Sequence, residues 1–469
     1  MVAIESLEEA AAEAANLLVE IVTNVESRPI SRSSTHAELA ALFHETLQQE
    51  GIGVVPALRE FRQKILPHTL GIPHALYCGL VQSSPLPGAV LADLLVSAVN
   101  NNVGAFHQGP AFLCAEEEVL RSFRELFGLK DPWTGMVLPG GTMANLQGIV
   151  MARTAAFADG VPRNARFYVS EAAHFSLARA ARVAGLANQS IISIPTSGRG
   201  LLDVDALARQ IGLDKRRGKK PFAVAASLGA TGTGAIDPLH DIAALCVRES
   251  IWLHVDACYG GAAILLPNPP GEIAALRKAD SIAIDPQKWF FIPIVAAIML
   301  HRHPRISHLA FGSQEASYIP LSPMVEPWQT GIPTSRRATG FTIWMALRAH
   351  GWRTIADAVS RNVMLTRLLE DRLRDQGFNV LPKGELSVAC ARYEPQSQSS
   401  ESLDKMQECI AREICESGRA WLATVRHGGK TWLRFNIVNF RTSEKHVDTL
   451  VDLLVEVTSN SKAEAGKTS

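Results

Sequence analysis

No run of about 18 or more apolar residues, the length a membrane-crossing helix needs, occurs in this 469-residue sequence. Neither sign of charge is in excess: 46 Lys+Arg balance 46 Asp+Glu, so nothing draws the whole chain to nucleic acid or to a membrane surface. A small molecule is the expected partner. The seven cysteines (Cys78, Cys114, Cys246, Cys258, Cys390, Cys409 and Cys415) are odd in number and form no Cys-x-x-Cys pair. That argues against a disulfide framework or a zinc ribbon and for reduced thiols in the cytoplasm. Aromatic residues make up only 6% of the chain, and there is no internal repeat. The Glu- and Ala-rich stretch from Met1 to Ala15 reads as an amphipathic helix, not a signal peptide.

What is present is an ordinary globular balance, 47% hydrophobic and 20% charged, in a chain long enough for two or three domains. Residues 1–60 have helical periodicity, broken at Arg28–Ser34, and an irregular Pro/His/Gly-rich passage runs from Pro67 to Pro87. From about residue 88, strand-length apolar segments alternate with helix-length ones. Strands are expected at Gly135–Leu138, Arg166–Ser170, Phe222–Ser227, Trp252–Ala257, Ser281–Ile284 and Val295–Leu300, with helices at Thr142–Ala156, Ala178–Ala184, Val204–Gln210 and Leu239–Glu249. The alternation predicts an α/β domain with a mostly parallel sheet. A long helix from Phe341 into Arg374, broken at Gly351, leads to a smaller α+β region with strands at Val388–Tyr393 and Thr431–Val438 and a helix at Leu403–Glu416.

Four segments carry chemistry. In Leu138-Pro139-Gly140-Gly141-Thr142-Met143-Ala144-Asn145 a strand ends in two glycines and a helix begins. Helix-start N–H groups suit a phosphate, although the segment is equally a strand–helix turn capped by Thr142. In Trp252-Leu253-His254-Val255-Asp256 an apolar strand runs into a carboxylate at its C-terminal end. A buried Asp256 needs a cationic or hydrogen-bonding partner: a protonated pyridine nitrogen, a metal ion and a salt bridge all qualify. Lys288, in Asp285-Pro286-Gln287-Lys288-Trp289-Phe290, stands in an apolar frame unlike most of the thirteen lysines. Desolvation there is expected to depress its pKa and make the amine nucleophilic towards an aldehyde, the alternative being a snorkelling lysine. His174, in Ala173-His174-Phe175-Ser176, falls where a strand hands over to a helix, as an active-site edge residue or a helix cap. In this order, a phosphate cradle, a His, a strand-end Asp and a framed Lys are the parts that pyridoxal-phosphate (PLP) chemistry needs.

With these segments the chain resembles the group II PLP decarboxylases of fold type I, the aspartate aminotransferase-like fold, and among them the bacterial aromatic-L-amino-acid decarboxylases. The similarity runs from about Pro73 to Thr442 and includes Gly229-Ala230-Thr231-Gly232-Thr233-Gly234, Ile236-Asp237-Pro238 and Leu433-Arg434-Phe435 beside the words above. It implies a seven-stranded, mostly parallel sheet in a large PLP-binding domain (88–345), preceded by an N-terminal helical segment (1–87) wrapping a homodimer partner. A small α+β domain (346–460) and a disordered tail (461–469) follow. It further implies an internal aldimine on Lys288, Asp256 on the pyridine nitrogen, His174 stacked on the ring, and Cys258 against the opposite face. Gly141 and Thr142 would take the phosphate, Thr231 would hydrogen-bond cofactor or substrate, and Tyr77 and Gly79 would line the substrate mouth. Tyr318, in the Gly-, Ser- and Pro-containing stretch His308–Glu326, would return a proton to Cα from a mobile loop.

Three positions depart from the family pattern. Gln287 stands where His is usual and can donate a hydrogen bond to the cofactor but cannot titrate. Asp285 replaces a phosphate-binding Asn, and a carboxylate there is expected to accept backbone bonds or pair with a base. Ala230 replaces a Thr. The expected activity is decarboxylation of an L-amino acid to amine and CO2. The alternatives are decarboxylation-dependent oxidative deamination to an aldehyde, and an aminotransferase or other PLP lyase. No metal site is expected from His301, His303 and His308, which no Cys or carboxylate cluster accompanies. Arg336 and Arg337 are candidates for an acidic substrate group or for structural pairing.

Overall fold

The computed structural model describes residues 7–44, 49–157, 160–312, 325–396 and 398–465. The chain forms two compact units: Val81–Thr366 with Leu381–Ala389, and Met1–Leu80 with Arg367–Val380 and Cys390–Ser469.

The first unit is built on a seven-stranded sheet: β1 (Thr134–Leu138), β2 (Ala165–Ser170), β3 (Ile191–Ile194), β4 (Lys220–Ser227), β5 (Trp252–Asp256), β6 (Ser281–Ile284) and β7 (Ala297–His301). Across the sheet the order is β1-β7-β6-β5-β4-β2-β3. Strands β3, β2, β4, β5 and β6 pair in parallel, while β7 runs antiparallel to both β6 and β1. The mostly parallel sheet expected from the alternation is there. Strands β2, β5, β6 and β7 are buried along their whole length, as a parallel sheet must be when helices cover both faces. The covering helices include α1 (Gly141–Ala156), α2 (Phe175–Val183), α3 (Val204–Arg216) and α4 (Leu239–Glu249). Ile149 and Met151 of α1 and Leu177 and Ala180 of α2 share one core with Phe167, Phe222 and Met299 of the strands.

Because β7 is antiparallel to both β1 and β6, strand β1 runs in the direction of the parallel set. The C-terminal ends of β1, β2, β4, β5 and β6 therefore share one edge. Gly141, His174, Thr231, Cys258 and Lys288 each follow one of those ends within four residues, at the edge where such sheets bind ligands.

The helix Thr339–Asp375 is interrupted at Gly351 (φ 72°), where its break was expected. In the second unit lies most of a four-stranded sheet, β8 (Asn379–Val380), β9 (Val388–Arg392), β10 (Ala423–His427) and β11 (Lys430–Asn436), ordered β8-β9-β11-β10. Arg392, fully buried, is neutralised by Asp404 at 2.6 Å and Glu394 at 2.9 Å. Helices Leu7–Thr23, Ser400–Glu416 and Glu444–Ala465 belong to this unit. The last continues five residues into the segment 461–469, read from sequence as a disordered tail. Among the described residues no helix is long and apolar enough to cross a membrane.

Candidate active site

His174, Thr231, Asp256, Cys258 and Lys288 line a single cleft at the strand-end edge. Five residues separated by up to 114 positions are thus brought together by the shared direction of their strands.

One wall is the start of α1. Its cap, Gly140, has φ 91°, a backbone conformation that costs little only without a Cβ. A Cβ on Gly141 would lie 2.6 Å from Cys258 Sγ and 2.7 Å from both carboxylate oxygens of Asp285, so these side chains close directly on the helix end. Helix geometry leaves the first N–H groups of α1, including those of Gly141 and Thr142, without an intrahelical acceptor. Thr142 itself is exposed.

Asp256, at the end of β5, accepts from two partners. Its Oδ1 accepts from the Cys258 N–H at 3.1 Å and its Oδ2 from Asn145 Nδ2 at 3.0 Å. Burial opposes its charge, but Lys288 and these bonds outweigh burial and hold the carboxyl below its usual range. Asp256 is therefore an anion at neutral pH, matched to a cationic ring nitrogen.

Asn145 was not singled out from sequence, nor were His254 and Ser176 beyond their place in motifs. Together they wire the site. Trp252 Nε1 donates to Ser281 Oγ at 2.9 Å, and Ser281 Oγ lies 2.8 Å from His254 Nδ1. His254 Nε2 meets Asn145 Oδ1 at 2.9 Å. Asn145 Nδ2 donates to Asp256 and, at 3.1 Å, to Ser176 Oγ, which is 2.7 Å from His174 Nδ1. Since the Asn145 oxygen can only accept, His254 carries its proton on Nε2 and takes the Ser281 hydroxyl on Nδ1. Burial pushes the His254 pKa down to about 4, consistent with a neutral ring. His174 is the N-cap of α2, its side chain accepting from the Ser176 N–H at 3.3 Å. Burial first, then Lys288 and Arg179, lower its pKa against the pull of Asp256 and Asp285; it too is neutral at pH 7.

Lys288 corrects one expectation. Its side chain is 23% exposed and its Nζ lies 3.0 Å from Asp285 Oδ2. Burial does press its pKa down, but the Asp285 and Asp256 carboxylates more than reverse this, and the ammonium is stabilised instead of weakened. The base that Asp285 was expected to pair with is Lys288. Gln287 accepts the Ala296 N–H on Oε1 at 2.7 Å, which turns its Nε2 towards Asp285 Oδ2 at 3.4 Å. Burial raises the Cys258 thiol well above its usual value, so it is a neutral wall and not a nucleophile.

The remaining candidates are not among the residues that line this cleft. Tyr77 and Gly79 belong to the second unit, where Tyr77 stacks on Trp421 at 5.1 Å and the Gly79 carbonyl accepts from Arg434. Arg336 is buried against Glu116 and the Val103 and Val137 carbonyls, and Arg337 pairs with Asp93 at 3.0 Å; both are structural. Tyr318 falls outside the described residues. A larger cavity, about 1060 Å³, is lined by residues such as Leu113, Met136, His301 and Ser307 and holds none of the predicted site residues.

The residues fit PLP at two ends: a buried anion for the ring nitrogen and a helix start for the phosphate, with an amine in the same cleft. Comparison with known proteins agrees. A family model described as the pyridoxal-dependent decarboxylase conserved domain matches residues 75–394. The aromatic-L-amino-acid decarboxylase of Bacillus atrophaeus is 27% identical over 449 residues, 94% of this chain and 93% of that one. The human acidic amino acid decarboxylase GADL1 is 30% identical over 399 residues, 80% of this chain and 75% of its own. The crystal structure of Oryza sativa TDC with PLP and tryptamine superposes with TM-score 0.93 at 22% identity, over 98% of this chain and 99% of that one, a likeness of fold.

Proposed function

Because the chain belongs to the pyridoxal-dependent decarboxylase family, and is thereby a PLP-dependent amino-acid carboxy-lyase, we propose that it converts an L-amino acid to its amine and CO2 in the cleft of Lys288, Asp256 and His174. The observation that carries this reading is that those three side chains line one cleft. When bound, PLP supplies an electron sink for the pair left at Cα as the carboxylate departs. Lys288 would hold the cofactor through its aldehyde. Asp256, ionised and fixed by Asn145 and Cys258, retains the proton on the pyridine nitrogen. His174, neutral and pinned through Ser176, would hold one side of the ring and Cys258 the other. Gly141 and Thr142 receive the phosphate at the α1 N-terminus, Gln287 contributes an amide donor near it, and Thr231 faces the reacting end. Tyr318 returns the proton to Cα. The same reading has the enzyme working in the cytoplasm as a homodimer, which a monomeric native mass would contradict.

Relatives are named for aromatic and for acidic substrates, so the test is a panel of L-amino acids of both kinds with added PLP, read as CO2 and amine in equal amounts. The holoenzyme is expected to show a band near ~420 nm and a borohydride-reducible link to the protein. Lys288→Ala is expected to lose both; if the link persists, Lys288 is not the attachment point.

A further inference from the structure

Two anions compete for one place in the site. The N-terminus of α1, where the phosphate is read to bind, is faced by Asp285, whose oxygens lie 2.7 Å from the Cβ position of Gly141. Asp285 is 2% exposed. Its Oδ2 receives Lys288 Nζ at 3.0 Å and Gln287 Nε2 at 3.4 Å, whereas its buried Oδ1 has no hydrogen-bond partner among the described residues. The other groups facing it are the Asp256 carboxylate, the Cys258 thiol and the neutral His174 imidazole. Within this set Lys288 is the single cation. A phosphate arriving beside an ionised Asp285 meets a like charge, and a Lys288 still protonated has no lone pair with which to attack an aldehyde.

One proton transfer removes both obstacles. We propose that Asp285 is the proton acceptor for Lys288 during cofactor loading: as the phosphate occupies the α1 N-terminus, a proton moves from Lys288 Nζ to the Asp285 carboxylate. The N–H bonding pair stays on Nζ as the lone pair of the amine, and an oxygen lone pair forms the new O–H bond. The products are a neutral amine and a neutral carboxylic acid, which faces the phosphate as a donor instead of a repelling charge. No proton crosses to solvent. Burial, which raises the pKa of Asp285, lowers the cost of its neutral form. The inference rests on the reading of Lys288 and of the phosphate cradle given above.

The test uses protein stripped of cofactor and two probes: 4-deoxypyridoxine 5′-phosphate, which lacks the aldehyde, and PLP itself. Calorimetry in buffers of different ionisation enthalpy counts protons taken up with the first probe. In Lys288→Ala the carboxylate has lost its proton donor, so binding takes up one more proton than in Lys288→Ala/Asp285→Asn, and affinity falls about tenfold per pH unit on the alkaline side. In Asp285→Asn with Lys288 intact, the phosphate probe still binds, but the ~420 nm band forms at a rate that rises with pH more steeply than in the parent. Equal proton counts in the two Lys288→Ala proteins overturn the proposal, as does an unchanged pH–rate profile in Asp285→Asn. A parent protein that binds neither probe overturns the PLP-site reading itself, and a purely structural Asp285 moves stability but not the proton count.

Discussion

Replacing Asn145 by Leu tests whether the wiring between Asp256, His254 and Ser176 holds the site together. The side chain is 1% exposed and makes three bonds, one of them to a carboxylate. A bond to a charged group contributes about 1.5–3 kcal/mol and a neutral one about 1 kcal/mol, so Asn145→Leu is expected to cost about 3–5 kcal/mol of unfolding free energy. Leu fills the space, leaving no room for a water to substitute, and strands the His254 Nε2–H. The measurement is a denaturant titration of parent and variant. Ser176→Ala, alone and combined with Asn145→Leu, completes a double-mutant cycle in which a coupling of about 1 kcal/mol is expected from the shared bond. A single-mutant loss below about 1 kcal/mol, or strict additivity in the cycle, would refute the claim that these bonds are made in concert.

Acid sensitivity follows from two buried imidazoles. Burial holds His254 at about 4 and His301 at about 3, from an ordinary 6.5. Between those values and 6.5 the unfolded chain binds protons that the fold refuses, so stability is unaffected above that window and is lost as pH falls through it. Each ring accounts for roughly 3 kcal/mol by about pH 4, and His301→Phe is expected to lose correspondingly less than the parent between denaturant titrations at about pH 7.5 and about pH 4; an equal loss would exonerate His301. Tyr318→Phe is expected to lose amine formation and, with dissolved oxygen as oxidant, to yield aldehyde and hydrogen peroxide. Unchanged amine output would remove Tyr318 as the Cα proton donor.

Six strands of the large sheet fall where apolar alternation places them, within two residues at each end and, for Ser281–Ile284, to the residue. The seventh, Ile191–Ile194, escaped notice for a physical reason. It is four residues long, an edge strand paired only with β2, and half-exposed, so it lacks the continuous apolar run that marked the buried strands. The start of α2 was placed three residues late, at Ala178 instead of Phe175, because its first turn is set by the His174 side-chain cap, which periodicity does not register. The break at Gly351 was legible, since glycine inside a long helical pattern is a local signal.

The site divides along the same line. Gly141, His174, Asp256 and Lys288 could be picked out because each sits at a strand end, and strand ends are local features. Their wiring could not, because Asn145 meets Asp256 and His254 across 111 and 109 residues. The available hint was an amide among Met143, Leu146 and Ile149, polar on a helix face otherwise apolar, which must find partners if buried. Lys288 shows a subtler failure. Its apolar flanks suggested a depressed pKa, yet Asp285 stands three residues upstream and is the residue that reverses the sign. Desolvation weakens an ammonium only when no anion is desolvated beside it, and here burial forces the two charges onto each other. The same pairing that protects the lysine's proton also gives that proton a place to go.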